Sequence, residues 1–405
     1  MSIYIVHEVI KPFRIKETFQ GKAKSTYFER MYHTLLRPLL FSLSSDQAHE
    51  VTIKGAAWSV RHDWTHQLLP AVGVQRAFSP PSTLSTTLWG LTFAHPVGLA
   101  AGFDKEGQLV PLMERIGFSH LDVGSITAKP SKGNPTPRSF RLKSDASLIN
   151  RMGLNNSGTA SVLRHLSAFS PSVPLSVNIA KTHDPTILGQ DGIQDYADSL
   201  TQTLHWGGAD LITLNVSCPN TAEGKTFEQP DSLATLLQGL NDVVEAASSN
   251  STTTPPIPPI LLKLSCDVDK ETLSEIVDLA HSRPWIQGFV MSNTSTRRDG
   301  LAEPTDRVTA MGKGGLSGRA IASWSTQRIE WLAAMTSHPI IGLGGISSAQ
   351  DVVEKIAAGA SLVQLYTGLV YEGPAIVQNI VKDLERMMRD KEVEHLSPET
   401  ASTLL

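Results

Sequence analysis

Ala209-Asp210-Leu211-Ile212-Thr213-Leu214-Asn215-Val216-Ser217-Cys218-Pro219-Asn220-Thr221 joins an apolar run to two carboxamides, a thiol and two hydroxyls. The run reads as a buried strand that ends where the polar side chains gather. Asn side chains both donate and accept hydrogen bonds, which suits the amide edges of a planar heterocycle, and a thiol beside them can remove a proton. Pro219 stops the strand and turns the chain outward. Read alone, the stretch is equally an Asn/Pro/Thr turn around a small buried Cys. What separates the two readings is whether other strand ends carry the same mixture.

They do. From His95 onward, apolar runs fall at Pro96–Ala101, Leu121–Ile126, Pro174–Ile179, Ala209–Val216, Pro259–Leu264, Gly288–Met291, Pro339–Leu343 and Ser361–Tyr366. Amphipathic segments lie between most of them: Glu106–Ile116, Ile193–Trp206, Leu233–Ala247, Lys270–His281, Trp324–Met335 and Ala349–Ala358. This strand–helix alternation predicts an α/β fold, a (β/α)8 TIM barrel, whose active site must lie at the C-terminal ends of the strands. The first strand end carries Ala100-Ala101-Gly102, where small residues let a flat ligand lie against the backbone, and then Lys105. The second ends in Gly124-Ser125, the third in Asn178 and the sixth in Ser292-Asn293-Thr294. Lys263 sits inside the fifth run, where an inward ammonium is costly unless it meets an anion. The Pro-, Gly- and Arg-rich segment Ala128–Asn156, much longer than an ordinary βα loop, walls one side of the site and adds Asn150, Asn155 and Asn156. A second insertion, Ser248–Pro259, reads as a solvated spacer on the opposite face.

Glycines point to phosphate. Gly314-Gly315-Leu316-Ser317-Gly318 precedes one helix, Gly342-Leu343-Gly344-Gly345-Ile346-Ser347 precedes another after the seventh strand, and Tyr366-Thr367-Gly368 follows the eighth. Backbone amides at helix N-termini bind phosphate, and barrels place that site after strands seven and eight. The run GLGGIS lacks the third glycine of the dinucleotide fingerprint, so flavin mononucleotide (FMN) fits better than NAD.

Composition narrows the partners. The 405 residues are 40% hydrophobic and 18% charged with a net charge of −4, a globular chain with no basic stripe for nucleic acid. Two cysteines, Cys218 and Cys266, without a CxxC or HExxH pattern, leave no disulfide scaffold and no metal site. The basic residues near the N-terminus are mixed with Glu8, Glu17 and Glu29, which dilutes a transit-peptide signature, and no run approaches the roughly 20 apolar residues of a membrane span. Phe28, Met31, Tyr32, Leu35, Leu36, Leu39 and Leu40 recur at helical spacing until Pro38, expected to kink or end the helix; Ser44, Ser45 and Asp46 then offer N-cap chemistry for a second. Periodicity leaves this hairpin open between packing on its own domain and presenting an apolar face to a membrane surface. The organisation expected is an N-terminal extension at 1–26, a hairpin and linker at 27–85, an FMN-binding catalytic barrel at 86–391 and a C-terminal tail at 392–405.

The motifs AAGFDK at 100–105, GNPTPRSFRL at 133–142, NRMGLNN at 150–156, NVSCPNT at 215–221, SNT at 292–294, GGLSG at 314–318 and LVQLYTGLVYEGP at 362–374 give the chain a specific resemblance. It resembles the dihydroorotate dehydrogenases, and Gln47-Ala48-His49 ahead of the barrel resembles their class 2, quinone-linked, membrane-associated branch. The resemblance implies a ping-pong flavoenzyme of pyrimidine synthesis. Dihydroorotate would lose a C5 proton to a base and a C6 hydride to flavin N5, giving orotate, and ubiquinone would reoxidise the flavin.

Carried over by motif, Cys218 is the base and Lys263 the charge beside the reduced flavin. FMN would contact Ala100, Ala101, Gly102, Ser125, Asn178, Asn215, Lys263, Ser292, Gly318, Gly344, Gly345, Tyr366 and Thr367. Substrate would meet Lys105, Asn150, Gly153, Leu154, Asn155, Asn215, Asn220, Asn293 and Thr294. His49, Arg141 and Tyr366 match the family's quinone tunnel, which favours ligand entry through the hairpin. The same resemblance implies a peripheral place on the mitochondrial inner membrane. Cys218 stands where class 2 members carry Ser and matches the soluble class 1 enzymes instead, and Leu154 replaces the usual Phe. The competing readings are an FMN barrel oxidoreductase with a related pyrimidine-like substrate or a soluble acceptor, and a non-catalytic paralogue.

Overall fold

The computed structural model describes residues 31–217, 226–249 and 257–405. The extension at 1–26, Cys218, Asn220 and most of the Ser248–Pro259 spacer lie outside them. Strands β1 (Thr86–Leu88) and β2 (Leu91–Phe93) form an antiparallel hairpin, turned by Trp89 and Gly90, both at positive φ. The barrel follows, from β3 (Val97–Leu99), β4 (Leu121–Ile126), β7 (Leu175–Ile179), β8 (Leu211–Asn215), β9 (Ile260–Leu264), β10 (Ile286–Met291), β12 (Ile340–Leu343) and β13 (Leu362–Leu365). Each pairs in parallel with the next and β13 closes back on β3. Strands buried on both faces explain the continuous apolar runs: every residue of β7, β8 and β9 is buried. Outward-facing strand residues pack on the helices, whereas Phe93 of the hairpin packs with Leu211, Leu261, Val290, Ile341 and Leu362 as a separate cluster of strand residues.

A second sheet overlies the site. β5 (Ser139–Leu142), β6 (Ser147–Asn150) and β11 (Gly315–Gly318) are antiparallel, so the long loop after β4 is a hairpin joined by a strand that comes much later in the chain. The run at 314–318, expected as a phosphate loop leading into a helix, is therefore mostly strand, followed by a 3-10 turn at Arg319–Ile321 and then the helix Ala322–Ala333.

The N-terminal helices keep their expected cap, and of the kink or end expected at Pro38 the helix does not end there. Tyr32–Leu36 is π-helical and runs directly into α1 (Arg37–Ser42), so the chain stays helical past Pro38. The wider π turn accommodates a residue that lacks an N–H and crowds the preceding carbonyls. α2 (Ser45–Val60) opens with a capping box, Ser44 Oγ accepting from Gln47 N at 3.2 Å and Gln47 Oε1 accepting from Ser44 N at 3.1 Å. Ile53, Ala56, Ala57 and Val60 pack against the main core, while Leu35, Leu39, Val51, Trp58, Trp64 and Leu68 are exposed. Beyond residue 391 the chain is not a loose tail: the helix Pro398–Ser402 lies on Ala349–Ala357 and buries Ala401 and Leu404.

Phe93 lies beyond the N-terminal ends of the strands, far from the site. Phe93→Ala is expected to lower the stability to urea by about 3–5 kcal/mol while leaving ligand binding at the other end unchanged.

Candidate active site

Barrel closure brings the C-terminal strand ends to one cavity. Of the expected residues, Ala100, Ala101 and Gly102 line it with Ser125, Asn150, Gly153, Leu154, Asn215 and Lys263. Lys105, Ser292, Asn293, Thr294, Gly318, Gly344, Gly345, Tyr366 and Thr367 complete the expected set that the fold brings together. Three expectations differ. Asn178 is fully buried behind Ser125 instead of lining the cavity, Asn155 is outside the lining, and of the 314–318 run only Ser317 and Gly318 reach it. Cys218 and Asn220 are outside the described residues, although Asn215, a few positions before them in the chain, lines the cavity. Sequence reading gave no role to Met152, Ile321, Gln364 or Leu365, which also line it.

The amides are joined. Asn178 Nδ2 donates to Asp122 Oδ2 at 3.1 Å, and Ser125 Oγ donates to Asn178 Oδ1 at 2.5 Å. Asn215 Nδ2 donates to Ser125 Oγ at 2.9 Å, and Asn215 Oδ1 accepts from Ser217 Oγ and from Asn293 Nδ2, both at 3.2 Å. Lys263 pairs in register with Asn215 and is buried. Burial pushes the Asp122 carboxyl up, while Lys263, Ser176, Asn178 and the Ala101 N–H hold it down.

Lys105 sits between two environments. Burial lowers its ammonium to about 8, helped by the Arg138 guanidinium and opposed by Glu106 and Asp104. Arg138 is itself fixed: Nη1 donates to Lys132 O at 3.0 Å and Asn134 O at 3.2 Å, and its backbone N donates to Asp46 Oδ2 at 2.9 Å. That last bond ties α2 to the overlying sheet, as does a 2.7 Å bond between Ser45 and Ser139 hydroxyls.

Phosphate chemistry fits the opposite wall. Gly344 and Gly345 have φ of +116° and +80°, and a Cβ at Gly345 would lie 2.4 Å from Ala322 Cβ, so the loop lies directly on a helix start. Asp351 holds the next turn by accepting from Ser347 N and Ser348 N at 2.8 Å. Gln364 Oε1, buried at this wall, has no hydrogen-bond partner and offers an acceptor to a ligand.

A second, apolar cavity runs from the hairpin into the barrel. Leu36, Leu40, Phe41, Ala56, Leu69 and Val72 line it with Phe103, Leu112, Met113 and Ile116, and it contains His49, Arg141 and Tyr366, the three residues expected to line a tunnel. Asn150, Met152 and Tyr366 are walls of both cavities. Arg141 donates to Leu40 O and Leu43 O and stacks over Phe41 at 4.6 Å, which holds the end of α1 against the sheet. Burial, with Lys105 and Arg138 nearby, lowers His49 to about 3, so its imidazole is neutral.

Fold and site together define a (β/α)8 enzyme with a polar ligand cavity at the strand ends and an apolar entrance under an N-terminal hairpin. The family model described as dihydroorotate dehydrogenase matches residues 83–388. A protein of Halobacterium salinarum named dihydroorotate dehydrogenase (quinone) is 37% identical over 361 residues, 87% of this chain and 95% of that protein. One of the same name from Deinococcus deserti is 37% identical over 370 residues, 90% of this chain and 98% of its own. A solved structure of DHODH from Eimeria tenella in complex with ferulenol superposes with a TM-score of 0.72 at 29% identity, covering 84% of this chain and 95% of that one. The chain belongs to the dihydroorotate dehydrogenase family.

Replacing Gly345 tests the phosphate wall. Gly345→Val puts a branched side chain at positive φ against Ala322 and is expected to purify with a small fraction of the wild-type flavin, read from the visible absorbance per protein. Full occupancy with unchanged affinity would move the phosphate site elsewhere.

Proposed function

We propose that this chain oxidises dihydroorotate to orotate with FMN as cofactor, and passes the electrons to ubiquinone through the apolar cavity. The observation that carries the reading is the pair of cavities that share Asn150, Met152 and Tyr366, one lined in part by amide, hydroxyl and ammonium side chains and the other mostly apolar. A soluble substrate and a lipophilic acceptor each need their own entrance to a common redox group.

FMN fits the residues present, with Gly318, Gly344, Gly345 and Thr367 at the phosphate and Ala100, Ala101, Ser125, Lys263 and Gln364 around the ring. Bound there, it supplies a hydride acceptor for the substrate and an electron donor for the quinone. The chain's own residues do the rest. Lys105 attracts the substrate carboxylate, and Asn150, Asn215, Asn220, Asn293 and Thr294 meet the amide edges of its ring. Asn155, although outside the lining, has a buried Oδ1 without a partner close to this wall of the loop. Cys218 takes the C5 proton: a thiol's ordinary pKa near 8.5 makes a thiolate accessible without a strong partner. Lys263 supplies positive charge inside the barrel, where the low dielectric strengthens it.

The exposed apolar side chains of the hairpin support a peripheral place on a membrane surface. Among the described residues no helix is long and apolar enough to cross a membrane. The relatives from Halobacterium salinarum and Deinococcus deserti lend no support to the mitochondrial inner membrane that the motif resemblance implies, so the membrane is left unassigned.

Dihydroorotate is expected to bleach the purified yellow protein, and a short-chain ubiquinone to restore its colour faster than fumarate does. Absence of bleaching would refute the reading, and faster recovery with fumarate would replace the acceptor. In the same stopped-flow assay Cys218→Ala should slow bleaching by about 100-fold or more, the usual range for a lost general base. Cys218→Ser should stay active with its pH limb moved upward. An unchanged rate in the Ala variant would remove Cys218 from the chemistry.

Lys105 gives a pH dependence of known sign. Its charged form binds a carboxylate, so with the free-enzyme value near 8 the dissociation constant of orotate is flat below that pH and rises above it. The limiting slope is about tenfold per pH unit for one proton. Titration of flavin absorbance with orotate from pH 6 to 10 (roughly two units either side) reads this directly, and Lys105→Met should abolish the dependence.

A further inference from the structure

Asp122 has no place among the expected contacts, yet it terminates the amide chain of the site. It is fully buried on β4, and its register partner across the sheet is Ser176. The bonds described above run in one direction: Asn293 and Ser217 donate to Asn215, Asn215 to Ser125, Ser125 to Asn178, and Asn178 to Asp122. An ionised carboxylate can only accept. It therefore forces the Asn178 NH2 toward itself and leaves Asn178 Oδ1 for the Ser125 hydroxyl. That hydroxyl spends its single proton there and must accept from Asn215, so Asn215 is left with its Oδ1 facing Ser217 and Asn293. With a group at 122 that donates, the links from Asn178 through Ser125 to Asn215 can form in the opposite sense, in competition with Asn293, whose Oδ1 accepts from Thr294 N at 2.9 Å and whose NH2 faces Asn215.

We infer that Asp122 is a positioning residue, whose carboxylate sets the direction of hydrogen-bond donation along Asn178, Ser125 and Asn215 and so fixes which edge of the Asn215 amide meets the substrate. Asp122 itself does not line the cavity. Burial raises the Asp122 carboxyl and the charge of Lys263 opposes that rise; the geometry that marks Asp122 as the acceptor at the end of the series is the bond from Asn178 Nδ2 to its Oδ2. The inference rests on the dihydroorotate reading above for the identity of the ligand, but the direction of the chain belongs to the protein alone.

A charge relocation tests it. In the holoenzyme, Asp122→Asn removes the element that dictates direction, and Asn178→Asp places two carboxylates within hydrogen-bond distance. Each is expected to raise the dissociation constant of orotate, read from the flavin spectrum, by about tenfold or more. It should also raise KM for dihydroorotate. The double variant D122N/N178D moves the carboxylate one link along. The carboxylate at position 178 then accepts from the carboxamide at position 122 and from Ser125, the direction beyond Ser125 is restored, and orotate affinity should return to within about threefold of wild type.

A merely space-filling Asp122 predicts no such recovery. Wild-type orotate affinity in D122N, or a double variant no better than the worse single one, overturns the proposal. If D122N does not hold flavin, the comparison of N178D with the double variant decides in the same way. An infrared difference spectrum between wild type and D122N at neutral pH is independent of the substrate: a carboxylate band lost on substitution supports the inference, and a protonated carboxyl band lost instead overturns it. A wild-type protein that neither binds orotate nor is bleached by dihydroorotate counts against the functional reading, and the infrared result still decides the state of Asp122.

Discussion

The hydrogen-bonded series inside the barrel mouth is the interaction on which the rest of the site depends. Asp122, Ser176, Asn178, Asn215 and Lys263 are all buried, on strands β4, β7, β8 and β9. Buried amides and charges favour an arrangement that pairs them, because an unpaired one costs about 1–3 kcal/mol. Barrel closure supplies the partners by register: Gly124 lies opposite Asn178, and Asn215 opposite Lys263. A one-residue slip between any of these strands would turn the polar groups outward into the helix layer. Register, burial and site chemistry are thus one constraint, and the apolar positions between the polar ones are what hold it.

The hairpin and the overlying sheet carry that constraint to the entrance. Asp46 binds the Arg138 backbone, Ser45 meets Ser139, and Arg141 caps the carbonyls at the end of α1. Of the two readings that periodicity left open, packing on its own domain describes one face of these helices, while the other face carries exposed apolar side chains. One face packs on the core through Ile53, Ala56 and Ala57, and the other exposes Leu35, Leu39 and Trp58. A sequence period reports that a side is apolar, and cannot say which of two apolar sides meets protein.

Much of the barrel was legible because parallel strands are written as continuous apolar runs. The runs at Leu121–Ile126 and Pro259–Leu264 became strands Leu121–Ile126 and Ile260–Leu264, and Lys270–His281 is the helix with the bounds read. The site was legible where a polar residue ends a run, as with Ser125, Asn215 and Asn293. Asp122 and Gln364 escaped because they lie within runs and face inward, a direction that alternation encodes but an unbroken apolar context hides. The overlying sheet escaped for another reason. β6 pairs with β11, and Asn150 meets Gly315, so the partner that makes the hairpin a sheet is far along the chain. The turn Trp89-Gly90 between Thr-Thr-Leu and Leu-Thr-Phe was a readable hairpin signal that the larger alternation overshadowed.

Charge at the boundary between the two cavities limits what each can do. Lys105 and His49 face different cavities but feel the same Arg138 guanidinium, which disfavours a positive charge on both. The outcome differs because their ordinary values differ: Lys105 lowered to about 8 is still mostly charged at neutral pH, whereas His49 lowered to about 3 is not. One cavity therefore keeps a cation and the other a neutral imidazole, a division of charge that agrees with the proposed carboxylate and quinone ligands. A group with so low a value lacks the acidic second proton of an imidazolium near pH 7. On the proposed reading, a quinone reduced in the apolar cavity would take its protons from solvent or through hydroxyl and amide groups on the wall, among which Ser139, Asn150 and Tyr366 are placed. Burial holds the Tyr366 phenol at about 12, so it too can pass a proton along a hydrogen bond but cannot remain ionised.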